Sequence, residues 1–255
     1  MKIATYNANS IRSRLPNLLN WLEENNPDIL CLQETKVQDQ DFPVQAFFDR
    51  NWQIVFHGQK QYNGVAILSR YPIDDVQIGL PNDPLSEARF ISARIGPYTI
   101  VNTYVPQGRE RESEKFEYKL NWFNLLKTHF NNSLTKDDSV IWVGDLNVAR
   151  ENIDVHDPDR LWGHVCFCQE VHDAFENVLE WGFEDVFRLF HTEPGHYTFW
   201  DYKVPNGFKR NLGWRLDYIL TDRQTAKSCK NCWIDTAARQ SEKPSDHTYV
   251  IAEFG

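Results

Sequence analysis

The sequence predicts an α/β sandwich, two packed and mostly antiparallel sheets with helices on the outside. Three observations carry that expectation. Short β-type runs alternate with helical patterns along the whole chain. Between residues 52 and 105 four strand-like runs follow one another without a long helix, as in an antiparallel meander. No linker, short repeat or low-complexity segment divides the 255 residues, so a single domain over 1–255 is expected.

The elements are read in order. Lys2–Asn7 has the apolar run of a strand. Leu15, Leu18, Leu19 and Leu22 then mark one face of a helix, with Ser13 as its N-cap, Pro16 in the first turn and Asn25-Asn26-Pro27 as its stop. Asp28–Glu34 is the next strand, and Trp52–Gly58, Gly64–Ser69, Phe90–Ile95 and Tyr98–Val105 form the meander. Phe116, Leu120, Phe123 and Phe130 share a face of a second long helix, and Ser139–Leu146 is a strand. Val171, Ala174, Phe175 and Val178 mark a third helix, closed by Gly182. Trp214–Thr221 and Tyr249–Phe254 are late strands.

Composition narrows the function. A hydrophobic content of 41% suffices for a packed core, and 25% charged residues is too ordinary for wholesale disorder. Lys and Arg total 27 against 36 Asp and Glu, a net charge of −9. Such a chain is poorly suited to indiscriminate coating of DNA, because non-specific affinity comes from neutralising phosphates. Acids gathered at a metal site, beside a local basic stripe, remain compatible with it. Neither a signal-peptide core nor a run of about 18 apolar residues is present, so no membrane contact is expected. Five cysteines, an odd number, fit a reduced protein of the cytoplasm.

The informative polar residues fall at strand ends. Asn7 follows Ile-Ala-Thr-Tyr, Glu34 follows Ile-Leu-Cys-Leu-Gln, and Asp145 and Asn147 follow Val-Ile-Trp-Val-Gly. Strand ends deliver residues to a shared rim where ligands collect. Asp145 and Asn147, two apart on an extended segment, point to one side and together can hold a water. A plain turn is the competing reading. Glu34 suits a catalytic Mg²⁺, which takes oxygen ligands and uses only one or two carboxylates. In Ser-Asp-His (245–247), His247 can donate to a phosphate oxygen, with Asp217 as the carboxylate that keeps it protonated. Tyr104 offers a phenol to the same phosphate, although most tyrosines in such strands are simply packed.

Six motifs in order then match a known pattern: Thr-Tyr-Asn-Ala-Asn-Ser-Ile-Arg (5–12), Leu-Gln-Glu-Thr-Lys (32–36), Asn-Thr-Tyr-Val-Pro-Gln-Gly (102–108), Gly-Asp-Leu-Asn (144–147), Gly-Trp-Arg-Leu-Asp-Tyr (213–218) and Glu-Lys-Pro-Ser-Asp-His (242–247). The chain resembles the exonuclease III and apurinic endonuclease family, within the endonuclease/exonuclease/phosphatase superfamily. The resemblance implies a four-layer sandwich and a site for Mg²⁺, with Mn²⁺ as a substitute. It implies Glu34 as the main metal carboxylate, with Asn7 and Asp246 completing or ordering the site. Asp145 is implied to activate or orient water, Asn147 to position it, Tyr104 and His247 to contact phosphate, and Asp217 to orient the histidine. Asp145, Asn147 and His247 also count as candidates for the metal shell, and whether Asp145 is base or ligand stays open. Phe199, Trp214 and Leu216 are implied to form an apolar pocket for a base-less sugar.

The implied partner is double-stranded DNA with abasic sites or 3′ ends, worked on by a monomer. Between His196 and Arg215, aromatic residues interleave with Lys203, Lys209, Arg210 and Arg215, a pattern suited to tracking phosphates and stacking on bases. Arg12, Arg14 and Lys36 are further phosphate candidates. Two rivals are weighed: a phosphoesterase acting on RNA tails or inositol phosphates, and an inert DNA-binding scaffold, which would need none of the catalytic set. His164, Cys166, Cys168 and His172, with Cys229 and Cys232, mimic metal ligands, but the Cys-x-Cys spacing fits structural zinc poorly and none is expected.

Overall fold

The computed structural model describes residues 1–255. Twelve strands and six helices follow in the order β1 (Lys2–Asn7), α1 (Ile11–Asn25), β2 (Ile29–Gln33), α2 (Val44–Phe48), β3 (Gln53–His57), β4 (Val65–Ser69), β5 (Asp74–Ile78), β6 (Phe90–Ile95), β7 (Tyr98–Tyr104), α3 (Glu114–Ser133), β8 (Ser139–Asp145), α4 (Pro158–Leu161), α5 (Gln169–Leu179), β9 (Phe183–Asp185), β10 (Asp217–Asp222), α6 (Arg223–Ala226), β11 (Cys229–Asp235) and β12 (Tyr249–Phe254). The strands form two six-stranded sheets, ordered β11-β12-β1-β2-β4-β3 and β5-β6-β7-β8-β10-β9. In each sheet every pairing is antiparallel except one, β1 with β2 and β7 with β8.

The four layers follow from strand alternation, since successive side chains point to opposite faces. Ile3, Ile29, Cys31, Val65 and Ile67 of one sheet meet Ile91, Ala93, Ile100, Ile141, Val143 and Ile219 of the other, all buried. The intervening residues face outward. Ala4, Tyr6, Leu30, Leu32, Ala66 and Leu68 pack under Leu18, Trp21 and Leu22 of α1 and Phe47 of α2. Val101, Trp142, Tyr218 and Leu220 pack under Phe116, Phe123 and Phe130 of α3 and Val171, Phe175 and Val178 of α5. Three hydrophobic seams therefore separate four layers, as the sequence predicted.

Several boundaries differ from expectation. Helix α1 begins at Ile11, not after Ser13. The buried Ile11 donates its backbone N–H to Thr35 O at 3.0 Å, and that tertiary bond nucleates the helix a turn earlier. Pro16 consequently lies beyond the first turn on an exposed face, where solvent serves the carbonyl its missing N–H leaves free. The stop is as read, with Asn26 left-handed and its N–H on Leu22 O. The Trp214–Thr221 strand starts only at Asp217, because residue 214 is committed to bridges with Val155 and Phe199. Strands β5 and β11, and the three-residue β9, were not foreseen. The first is an exposed edge without hydrophobic alternation, the second an edge that shows few buried residues.

Candidate active site

The site is the polar end of the inter-sheet seam. Along the inner face of β1 the residues run Ile3, Thr5, Asn7, along β7 Ile100, Asn102, Tyr104, and along β8 Ile141, Val143, Asp145. Each strand thus changes from apolar to polar as it nears the same edge. Register brings these ends together: Asp145 lies beside Tyr104 on β7 and beside Asp217 on β10. Below them lies a buried polar floor, in which Gln33 Nε2 donates to Thr5 Oγ1 (2.9 Å) and Asn102 Oδ1 (2.7 Å). Gly144 makes the approach of β8 to β7 feasible, since at its φ of +140° a Cβ would stand 1.9 Å from Thr103 O.

Two residues reach the site through left-handed backbone. Glu34, just past β2, has φ +49°, a conformation that costs a non-glycine residue of order 1–3 kcal/mol and is kept where the surroundings enforce it. Backbone bonds from Ser10 N to Glu34 O (2.8 Å) and from Lys36 N to Asn63 O (2.9 Å) clamp this turn. Asn147 also has φ +49°, so it does not share a side with Asp145 by strand alternation as expected. A turn does that work instead: Asn147 N donates to Asp145 Oδ1 at 3.0 Å, and its Nδ2 to Val105 O at 2.9 Å.

The ionisable groups form a continuous chain. Asp217 Oδ2 lies 2.7 Å from His247 Nδ1, and His247 Nε2 lies 3.7 Å from Asp145 Oδ2. Asn7 Nδ2 donates to that same Asp145 oxygen and to Glu34 Oε1, at 2.8 Å each. Burial would lower the pKa of His247, but the flanking Asp217 and Asp145 outweigh it and hold the imidazolium well above its ordinary range. Burial raises the Asp145 carboxyl, and Asp217 and Glu34 add to this against the pull of His247 and Asn7. Burial, then the Glu34 carboxylate, keeps the Tyr104 phenol protonated and therefore a donor.

The donor set fits a hard cation. Ligand atoms of Glu34, Asp145 and His247 lie within 4.8 Å of one another, and oxygen predominates among them. Asn7 turns Nδ2 rather than Oδ1 to the carboxylates, while its Oδ1 accepts Asn9 N at 3.0 Å. A half-turn of that amide would bring the oxygen to a cation on Glu34. Asp246 stands one step out, its Oδ1 accepting Asn9 Nδ2 at 2.8 Å. Lys36 Nζ reaches Glu34 Oε2 at 2.7 Å and Asn9 Oδ1 at 2.5 Å.

Sequence reasoning missed Lys119. Its ammonium is fully buried under the site and donates to Asn147 O (2.6 Å), Val165 O (2.7 Å) and Gln107 O (3.2 Å). It ties together three loops, one of them carrying Asn147. Burial lowers its pKa, opposed by Cys166 and Cys168, whose thiols stand nearby. Replacing it by Met removes those donors, so Lys119→Met is expected to destabilise the fold by about 1–3 kcal/mol in urea titrations. It should also lower kcat about tenfold more than KM changes, through a loosened Asn147. Unchanged kcat in the folded variant would make Lys119 purely structural.

Two clefts flank the acids. One of ≈ 540 Å³ is lined by Phe199, Trp214 and Leu216 together with His164, Arg160 and Arg210, and it reaches Asp145, Asn147, Asp246 and His247. Phe199 packs its ring on His247 at 4.8 Å, and His164 lies 4.9 Å from Trp214. The other, of ≈ 380 Å³, shares Glu34 and Tyr104 and carries Lys36, Arg89, Arg109 and Lys115. Arg89 stacks over Tyr104 at 4.7 Å. The expectation for Arg215 is corrected: it is buried, 2.7 Å from both Asp154 and Asp185. Tyr197 and Trp200 of the same stretch are likewise core residues. Lys203, Lys209 and Arg210 are exposed, and Arg14 bonds Tyr202 Oη and Pro244 O.

Comparison with known proteins matches residues 4–247 to the Endonuclease/Exonuclease/phosphatase family. Exodeoxyribonuclease III of Haemophilus influenzae is 32% identical, with all of both chains covered. An AP endonuclease structure from Archaeoglobus fulgidus superposes with a TM-score of 0.97 at 46% identity, covering 100% of this chain and 99% of that one. The 3′ phosphatase NExo from Neisseria, bound to product DNA hairpin, gives 0.96 at 38% identity with the same coverage.

Proposed function

This chain belongs to the Endonuclease/Exonuclease/phosphatase family, and from that premise we propose that it is a DNA repair nuclease of the exonuclease III type. It hydrolyses the phosphodiester 5′ to abasic sites and clears nucleotides and blocking groups from 3′ ends of duplex DNA. The observation that carries this reading is the run Asp217–His247–Asp145–Asn7–Glu34, opening between a basic cleft and a mixed one walled on one side by Phe199, Trp214 and Leu216. An inert scaffold needs no such alignment. Relatives that match over full length carry DNA nuclease names, which favours DNA over RNA tails or inositol phosphates.

Glu34 would hold a hard divalent cation, Mg²⁺ with Mn²⁺ as a substitute, with Asn7 and Asp246 ordering the site. When bound, such an ion neutralises charge that builds on the phosphate oxygens. Asp145 accepts a proton from the attacking water, and Asn147 fixes the turn that aims it. His247, kept cationic by Asp217, and the neutral Tyr104 donate to phosphate oxygens, where a preformed donor is worth most. Lys36 and Arg89 line the same mouth and complement the DNA backbone. All these groups belong to one chain, so the proposed chemistry needs no second copy. No helix is long and apolar enough to cross a membrane. Four of the five free cysteines are buried, which suits a protein kept in the reducing cytoplasm.

A gel assay on an abasic duplex and on a recessed duplex with a 3′-phosphate tests the reading. Cleavage of both with Mg²⁺ and of neither with chelator is expected, and cleavage with chelator overturns it. Selectivity should reside in the apolar wall of the second cleft. A nucleotide without a base leaves the helix cheaply, and Phe199, Trp214 and Leu216 would accept bare deoxyribose while excluding one that carries a base. Trp214→Ala should therefore narrow the preference for abasic over intact sites by about tenfold, the scale of a pocket contact. Loss of 3′-phosphate removal should be smaller. Equal losses on both substrates would make Trp214 structural.

A further inference from the structure

Away from the catalytic acids, His191, Glu193 and His196 place one ligand atom each within 4.8 Å of the others. They lie on the loop that follows the helical turn Phe187–Leu189, after β9. His196 Nε2 is 2.7 Å from Glu193 Oε1, and His191 Nδ1 is 3.7 Å from the same oxygen. The other nitrogen of His191, Nε2, lies 2.9 Å from Cys232 O on β11. A carbonyl only accepts, so Nε2 carries the proton and Nδ1 turns its lone pair toward Glu193. That is the arrangement by which an outer carbonyl fixes the tautomer of a ligating imidazole.

The loop is also held in shape without a ligand. Arg188 Nη1 donates to His191 O (2.9 Å) and Glu193 O (3.2 Å), and Arg188 pairs with the buried Asp154. The buried ring of Phe187 stacks on His191 at 4.5 Å and meets His196 edge-on at 5.6 Å. Both imidazoles are therefore fixed by packing before any ion arrives, which lowers the cost of ordering a site. We propose that His191 Nδ1, Glu193 Oε1 and His196 Nε2 bind a borderline-soft divalent cation of the Zn²⁺ class, with solvent in the remaining position. Two imidazoles and one carboxylate suit Zn²⁺ and are poor for Mg²⁺, so this site and the oxygen-rich one at Glu34 select different ions. Its role is to clamp an edge: the loop leaves β9 of one sheet, grips β11 of the other through Cys232, and runs on to Thr198. Thr198 Oγ1 accepts the backbone N–H of Asp217, so the clamp supports the carboxylate behind His247. The inference stands independently of the DNA substrate.

The test is equilibrium dialysis of chelator-stripped protein against ZnCl₂ in excess Mg²⁺, followed by metal analysis and thermal melting. A single Zn²⁺ is expected in wild type and in Glu34→Gln, with a raised melting temperature. Affinity should fall at least about tenfold in His191→Ala and in His196→Gln. The second variant keeps a hydrogen bond to Glu193, so it separates ligation from loop folding. Co²⁺ should give visible bands in wild type that both variants lack. Affinity unchanged in His196→Gln, or lost in Glu34→Gln instead, or absent in wild type, overturns the proposal.

Discussion

Asp145→Asn is expected to lower turnover by about 10²–10⁴-fold while DNA affinity stays within a few-fold. The isosteric amide preserves shape, and its oxygen can still accept Asn147 N, which now sits 3.0 Å from Asp145 Oδ1. What disappears is the negative charge that takes a proton from water and that faces His247 Nε2 at 3.7 Å. That charge is buried beside Glu34 and Asp217, and burial and both neighbours act to raise its pKa. Its removal relieves that burial but sets the new amide NH₂ against Asn7 Nδ2, itself a donor, so the melting temperature should stay close to wild type, which excludes unfolding as the cause. Single-turnover cleavage gives the chemical step, and anisotropy of labelled DNA gives the affinity. Proportional losses in both would make Asp145 a DNA contact and not a catalytic group.

Glu34→Gln should cost at least about 100-fold at ordinary Mg²⁺ and recover in part as the metal is raised, because a hard cation loses its main carboxylate. The glutamine keeps the size of the side chain and can still accept from Asn7 Nδ2, which lies 2.8 Å from Glu34 Oε1. It gives up the ion pair with Lys36, a partly exposed contact whose loss alone is worth little. Titrating Mg²⁺ against rate separates the two effects: a higher half-saturating concentration with a recoverable maximum marks a ligand. A lowered maximum with unchanged metal dependence would move the cation elsewhere.

Glu34 and Asp145 drew notice because each ends an apolar run, yet a solvated strand end or a plain turn explained either one alone, and Asp217 and His247 gained roles only once six motifs stood in order. Phe199, Trp214 and Leu216 do line one cleft, but they were grouped only through resemblance, since three apolar residues in sequence look like any core. Lys119 was invisible. It sits between Tyr118 and Leu120 on a helix with ordinary surface charge, and its burial is imposed by loops at residues 107, 147 and 165 that no periodicity brings together. Arg215 was misread for the same reason: its acidic partners, Asp154 and Asp185, are remote in sequence. The early start of α1 belongs here too, being set by Thr35 across the sheet rather than by Ser13. Local chemistry marks strands well, and long-range neutralisation of charge poorly.

Strand β12 lies between β11 and β1, and Asp246 and His247 immediately precede it. During synthesis β1 emerges more than 240 residues before β12, the neighbour that covers one side of it. Until then Lys2–Thr5 present an open row of backbone donors and acceptors, the kind of edge that recruits foreign strands. The histidine that would grip phosphate is also missing from the nascent chain. Before β12 pairs, that edge of β1 stays open, and contacts of such high sequence separation close slowly. One event closes the edge of β1 and sets His247 beside Asp217: the docking of β12.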